Sequence, residues 1–315
     1  MSVTFDECFQ TFPELKVPGD MADFWKNAQA ELQKVPVEPQ QKMLLKKSLG
    51  WESMQDISFQ SFGGARVTGV LTIPRKRGKV PAVISFHDYH ADLETGREFT
   101  DSGLAHLAIR LRGHEDLTVT RTPDGEVGPP PFFQQKGIAA AEKSYPYACY
   151  LDALRAVDFL RLQRGIDHSR IGLVGRGFGA ALAVFAAIHR KNVQALSLEQ
   201  MGFTVLAEWM KVAEADYAEE LRNLTGKNAR NRIKARKNLD YFDVLNYSED
   251  IRQPLMAFIG LNDMVNPARP AFGFFNHVTS DKSMELFPEE SDQPPPAEIR
   301  KKSVEFLGSI LNAEE

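Results

Sequence analysis

An α/β fold built on a mostly parallel sheet is what this 315-residue sequence predicts. Three observations carry the prediction. Short apolar runs alternate with amphipathic stretches along the chain, the pattern of strand and crossover helix. The run Lys79–Phe86 is almost continuously apolar, as expected of a strand covered on both faces. Ile171–Val174 enters a glycine-rich turn, Gly175-Arg176-Gly177-Phe178-Gly179, and an alanine-rich helix leaves it at once. Neither an internal repeat nor a domain boundary interrupts the alternation. Residues 1–315 are therefore expected to form a single domain, with a helical N-terminal extension over 1–40 and a helical insertion over 202–239.

Each element has its own signal. Residues 21–33 place Phe24, Trp25, Ala28 and Leu32 at helical spacing, and a Pro-rich link follows from Val35 to Gln40. Gln55–Phe59 and Ala65–Pro74, either side of Gly63-Gly64, predict an antiparallel hairpin. Leu107–Leu111 reads as a short strand closing on Arg112-Gly113-His114-Glu115. The Pro- and Gly-rich residues 117–146 read as a long ordered loop or an oligomer contact. Tyr150–Leu162 predicts a helix burying Ala153, Leu154, Val157 and Leu160. Val193–Leu198 is the strand after the alanine-rich helix. The insertion behind it ends in six basic residues between Lys227 and Lys237, which read as a solvated helix face. Gln253–Gly260 returns to an apolar strand that runs into Leu261-Asn262-Asp263. Met284–Phe287 is the last strand, and Ala297–Leu311 a closing helix with Ile299, Val304, Leu307 and Leu311 inward.

Composition narrows the function classes. An apolar fraction of 43% with 25% charged residues is ordinary for a soluble globular protein. A net charge of −4 gives no reason to expect nucleic acid or an anionic membrane as a partner. There is no apolar run of the roughly 18 residues that a membrane span needs. The first residues lack the basic-then-apolar profile of a secretory signal, so a cytoplasmic location is expected. Cys8 and Cys149 are too few for a disulfide framework, and no CxxC pair occurs. No metal and no cofactor are expected.

Several short segments recur in a telling order: Asp23-Phe24-Trp25, Phe86-His87-Asp88-Tyr89, Arg112-Gly113, Tyr150-Leu151-Asp152-Ala153-Leu154-Arg155-Ala156-Val157, Tyr241-Phe242-Asp243 and Gly260-Leu261-Asn262-Asp263. In this order and spacing the chain resembles the acetylxylan esterase and cephalosporin-C deacetylase family of α/β-hydrolases, over nearly its whole length. The resemblance implies an α/β-hydrolase fold and a Ser–Asp–His triad in that chain order. It makes Gly175-Arg176-Gly177-Phe178-Gly179 the nucleophile elbow, where the pattern is G-x-S-x-G. Asp263 takes the triad acid's position, Gly177 the serine's, and Asp292, in the loop after the last strand, the histidine's. A glycine has no oxygen to activate, so the acyl-enzyme route is closed at 177. Glycine also relaxes the strained elbow backbone by about 1–3 kcal/mol. The resemblance assigns the oxyanion hole to the backbone N–H groups of Tyr89 and Phe178, which do not depend on side chain. It departs at His114-Glu115, where the family reads Gln-Gly.

Could other residues rescue the chemistry? None of the seven histidines follows the last strand. His87 and His90, beside the oxyanion loop, are the candidates for a general base, local hydrogen bonding being the plainer reading. Ser85 and Ser197 lie in strands, where a core role is expected. Asp263 and Asp292 facing each other would share a proton or hold a cation, although no metal-ligand spacing is matched. Arg176 and Phe178 either fill the old pocket, the preferred reading, or bind an acidic ligand. The expected function is non-hydrolytic: a binding or assembly subunit for a small acetylated carbohydrate or related ligand. The resemblance implies oligomers, so a homo-oligomer, or a hetero-oligomer with an active relative, is expected. The alternative is an acetyl esterase with residual or rerouted hydrolysis, Asp263 and the oxyanion donors directing water.

Overall fold

The structure, a computed structural model, describes residues 4–44, 52–89, 91–95, 97–114, 140–226, 229–287 and 296–313. Its centre is one nine-stranded sheet. Strands β1 (Gln40–Met43), β2 (Glu52–Gln60) and β3 (Arg66–Pro74) pair antiparallel, the last two around a tight turn at Gly63 and Gly64, both at positive φ. The remaining strands run parallel to one another: β4 (Val80–Phe86), β5 (Ala105–Ile109), β6 (Ile166–Gly177), β7 (Val193–Met201), β8 (Leu255–Gly260) and β9 (Lys282–Phe287). The order is β1-β2-β3-β5-β4-β6-β7-β8-β9, with β3 and β5 antiparallel. The mixed, mostly parallel sheet expected from the sequence is therefore present.

Helices cover both faces, and strand alternation sorts the core between them. Val83, Val174 and Ala195 point to one side, against Phe99 of α3 (Glu98–Asp101) and Val304, Leu307 and Leu311 of α10 (Pro296–Leu311). Their neighbours Ala82, Ile84, Leu173 and Leu196 join the larger core on the other side, under α4 (Tyr145–Leu160) and α5 (Phe178–His189). Helix α2 (Met21–Gln33) lies over that second layer. Its Trp25 stacks on Tyr147 and Tyr150, meets Phe185 at 4.4 Å between ring centres, and donates its indole N–H to the Tyr247 hydroxyl at 2.6 Å. Burying an indole with its N–H satisfied fixes the N-terminal extension to the helix that leaves the elbow.

Some elements differ from expectation. Helix α4 starts at Tyr145, five residues before the expected Tyr150, because Ser144 caps it through its hydroxyl and Pro146 sits in its first turn. The link ending at Gln40 continues into β1, a short polar edge strand with no apolar alternation to announce it. Helix α1 (Phe5–Phe9) is held by a capping box between Thr4 and Glu7. Helix α9 (Ala268–His277) carries Pro270 and Gly273, which hid its periodicity; Pro270 is tolerated in the first turn, where its missing N–H costs nothing. The insertion holds α6 (Leu206–Val212), α7 (Asp216–Gly226) and α8 (Ala229–Leu239), and Lys234, Arg236 and Lys237 are exposed as expected. Of the expected long loop at 117–146, residues up to 139 lie outside the described residues. No helix among the described residues is long and apolar enough to cross a membrane.

Candidate functional site

Strand β6 ends at Gly177 and α5 begins at the next residue, so the chain reverses direction within one position. Gly177 takes φ 54° and ψ −120°, a conformation open to glycine and strained for any L-residue. The flanking glycines allow the reversal to pack. A Cβ on Gly175 would strike the first turn of α5, and one on Gly179 would strike the backbone of Phe86 and His87 at the end of β4. The turn thus keeps the elbow's backbone while lacking a side chain at its apex.

The apex is not empty. The Asp88 carboxylate, from the loop after β4, lies where a side chain on residue 177 would go: a Cβ there would overlap all three carboxyl atoms. Asp88 Oδ1 accepts from the Tyr89 N–H at 2.8 Å and from the Phe178 N–H at 2.8 Å. The Tyr217 hydroxyl, reaching over from α7, donates to the same oxygen at 3.3 Å. The two N–H groups that the resemblance assigns to the oxyanion hole therefore converge on one point, and a carboxylate of the chain occupies it. Burial, and then Asp88, push the Tyr217 hydroxyl well above the usual phenol range.

Asp263 stands at the carboxyl end of β8, where ligand sites of open α/β sheets lie. Its Oδ1 accepts from the N–H groups of Val265 and Asn266 at 2.9 and 2.8 Å, and its Oδ2 from the Gln200 side-chain amide at 3.1 Å. Burial raises its carboxyl to about 6, with the Asp88 charge adding to the rise and the three donors opposing it. Asp263 thus feels the charge of Asp88; Asp292 and His90 lie outside the described residues. Groups of three or more His, Cys, Asp or Glu side chains able to hold a metal do not occur among the described residues.

The segment joining β7 to α6 covers the elbow under strain. Gln200, Phe203 and Val205 all have positive φ, rare for non-glycine residues and rarest for a β-branched one. Asp243 holds its end: the carboxylate accepts from the N–H groups of Val205 and Leu206 at 2.9 and 2.8 Å, and caps its own turn through the Leu245 N–H at 3.1 Å. Beside it, Gln200 Oε1 and Asn266 Oδ1 are buried without a protein partner. Asn266 Oδ1 abuts Gly202, whose Cβ position would also fall 3.1 Å from Gly177 Cα. Two acceptor oxygens therefore lie beside the elbow in a strained setting, a combination that concentrates at ligand sites.

The other expected residues are placed as follows. His87 does not present a base to the elbow. Its Nε2 accepts from the Leu111 N–H at 3.1 Å and its Nδ1 contacts the Asp88 carbonyl at 2.6 Å, so the ring is locked between backbone groups. Arg176 faces Glu94 at 3.5 Å, which also binds Arg300, so its guanidinium already meets a carboxylate. Phe178 is fully buried, its ring 5.0 Å from Phe203 and 6.4 Å from Tyr150, Tyr145 and Tyr217. It fills the core beneath the elbow, and Asp88 fills the apex. Ser85 does meet a histidine, His106 at 2.6 Å, but the pair is buried against Phe99 on the α3 side of the sheet; Ser197 bonds Ser303. The turn at His114 persists despite its departure: Arg112 is clamped by Asp152 at 2.7 and 2.6 Å, and Gly113 takes φ 79°.

Comparison with known proteins now bears on this arrangement. Residues 1–310 match the family described as acetyl xylan esterase (AXE1). The chain belongs to the acetyl xylan esterase family. Among curated relatives, acetyl esterase Axe7A of Xylanibacter ruminicola is 23% identical over 291 residues, covering 88% of this chain and 64% of that protein. The chain thus spans less than two thirds of that relative's length. Among solved structures, the acetyl xylan esterase from Paenibacillus sp. R4 superposes with a TM-score of 0.89 at 23% identity, over 98% of this chain and 100% of the other. Acetyl xylan esterase 1 from Thermoanaerobacterium sp. JW/SL YS485 gives 0.85 at 20% identity, over 98% and 99%. These likenesses establish the α/β-hydrolase fold. Within this acetyl xylan esterase family member, the structure brings four of the residues named from the sequence into one place: Gly177, the Tyr89 and Phe178 N–H groups, and Asp263, whose carboxyl feels the Asp88 charge. Asp88, Gln200, Tyr217 and Asn266 join them at the elbow, and no motif in the sequence signals that.

Proposed function

We propose that this acetyl xylan esterase family member binds a small acetylated carbohydrate or related hydroxyl-rich molecule at its elbow without serine-based deacetylation, as a binding or assembly subunit. One observation carries the reading: glycine stands at 177, where the resemblance expects the serine, and the Asp88 carboxylate accepts from both N–H groups that the resemblance assigns to the oxyanion hole. Acyl transfer needs an attacking oxygen and free donors at the developing oxyanion. The unpartnered oxygens of Gln200 and Asn266 suit hydroxyl donors of such a ligand. Partners fit the same reading: copies of this chain, or an active relative.

The test pairs labelling with binding. A serine-directed fluorophosphonate should leave the protein unlabelled, while calorimetric titration with acetylated xylo-oligosaccharides should give heat and no acetate release. Labelling at a stoichiometric serine would contradict the proposal.

A second reading, acetyl-ester hydrolysis by a rerouted mechanism, is favoured by the family match itself, which covers 1–310. Asp263 is retained and its carboxyl sits near 6, within the range of a general base. Direct attack by water would first have to displace Asp88 from the donors. Acetate release that Asp263→Ala abolishes would establish this second reading over the first.

A further inference from the structure

We propose that Asp88 is a built-in ligand of the elbow, so that the site is a receptor for a small carboxylate that the chain fills with its own side chain, matched to the absence of a side chain at 177. The inference deepens the reading above, on which its functional meaning rests. Its support is geometric. Asp88 Oδ1 accepts from Tyr89 N–H and Phe178 N–H, each at 2.8 Å, and from the Tyr217 hydroxyl at 3.3 Å. Phe178 is the first residue of the twelve-residue helix α5, so the carboxylate also sits at a helix N-terminus, where backbone N–H groups and the helix dipole favour an anion. Three donors meeting one oxygen at a helix start are a carboxylate site in every chemical respect.

The match with Gly177 follows from space. Any Cβ at 177 would overlap the Asp88 carboxylate. A serine restored at 177 therefore cannot coexist with Asp88 in this position, and regaining a nucleophile requires a change at 88 as well. Removing the carboxylate in the Asp88→Gly variant leaves the donors facing a space the size of formate or acetate.

The experiment is a thermal-shift titration of the full chain, parent and Asp88→Gly, with sodium acetate and sodium formate against sodium chloride at equal ionic strength. The variant should gain Tm saturably with acetate or formate and not with chloride, while the parent responds to none of the three salts specifically. If Asp88→Gly does not fold alone, refolding in acetate or formate but not chloride is the same readout. Absence of a carboxylate-specific gain, or an equal gain in the parent, overturns the proposal. A second arm measures Gly177→Ala in both backgrounds: its loss of Tm should be larger in the parent than in Asp88→Gly, and equal losses would break the matched pair. These readouts do not depend on turnover, so they stand apart from the labelling test of the proposed function.

Discussion

Burial lifts the Asp263 carboxyl from its ordinary value near 3.8 to about 6, and this has a consequence for stability that can be signed. A carboxyl raised in the folded state is stabilising while protonated. As pH climbs from about 4 through 6 the unfolded chain releases its proton first, and the contribution disappears. At pH 7 the ionised Asp263 therefore costs on the order of 2–3 kcal/mol relative to a neutral group in the same place. Asp263→Asn removes that cost and still offers Oδ1 to Val265 and Asn266; the buried Gln200 Oε1 is then able to turn and accept from the new amide. The variant should be more stable than the parent at pH 7.5 by urea unfolding, with the gap shrinking toward pH 4.5. A gap independent of pH would show that Asp263 is not the buried, raised carboxyl described here. At this scale the sequence was partly legible. Glycine at 177 and aspartate at 263 could be read from motif positions. The role of Asp88 could not, because the destination of its carboxylate depends on two loops, after β4 and after β6, meeting in space.

The β7–α6 connection shows how an element can be held in an unfavourable shape. Three positive-φ residues, Gln200, Phe203 and Val205, cost about 1–3 kcal/mol each when unsupported. Asp243 holds the end of the connection from the far side of the insertion, through the N–H groups of Val205 and Leu206, while the Leu245 N–H is its own local cap. Asp243→Ala leaves those donors without a partner and should destabilise the protein by about 3 kcal/mol. Because Trp209 is fully buried in α6 just beyond the segment, its emission should shift to the red in the native state as the connection relaxes. Unchanged emission with unchanged stability would mean that Asp243 does not hold the strain. The resemblance did mark Tyr241-Phe242-Asp243, yet nothing in that triplet shows which backbone its carboxylate caps. Elements with strong periodicity were legible: α2 matches residues 21–33 at both ends, and β4 falls within Lys79–Phe86. Elements lacking it, β1 with its polar edge and α9 with Pro270 and Gly273, were not.

At the scale of the whole molecule, the family scaffold is retained almost end to end, with glycine at the apex of its elbow and the Asp88 carboxylate on the two N–H groups there. The mostly parallel sheet, the helices on both faces and the elbow backbone follow from apolar alternation and glycine placement, which is why the sequence makes them legible. The occupant of the elbow follows from long-range packing of β4, β6 and α7, which one sequence does not encode visibly. On the proposed function, this scaffold does not carry out ester hydrolysis through its elbow. The most direct measurement is steady-state hydrolysis of p-nitrophenyl acetate by the unmodified chain, read beside buffer and beside Asp263→Ala. The parent and the variant should give the same rate, indistinguishable from buffer. Turnover by the parent that Asp263→Ala removes would contradict it and place this chain among working deacetylases.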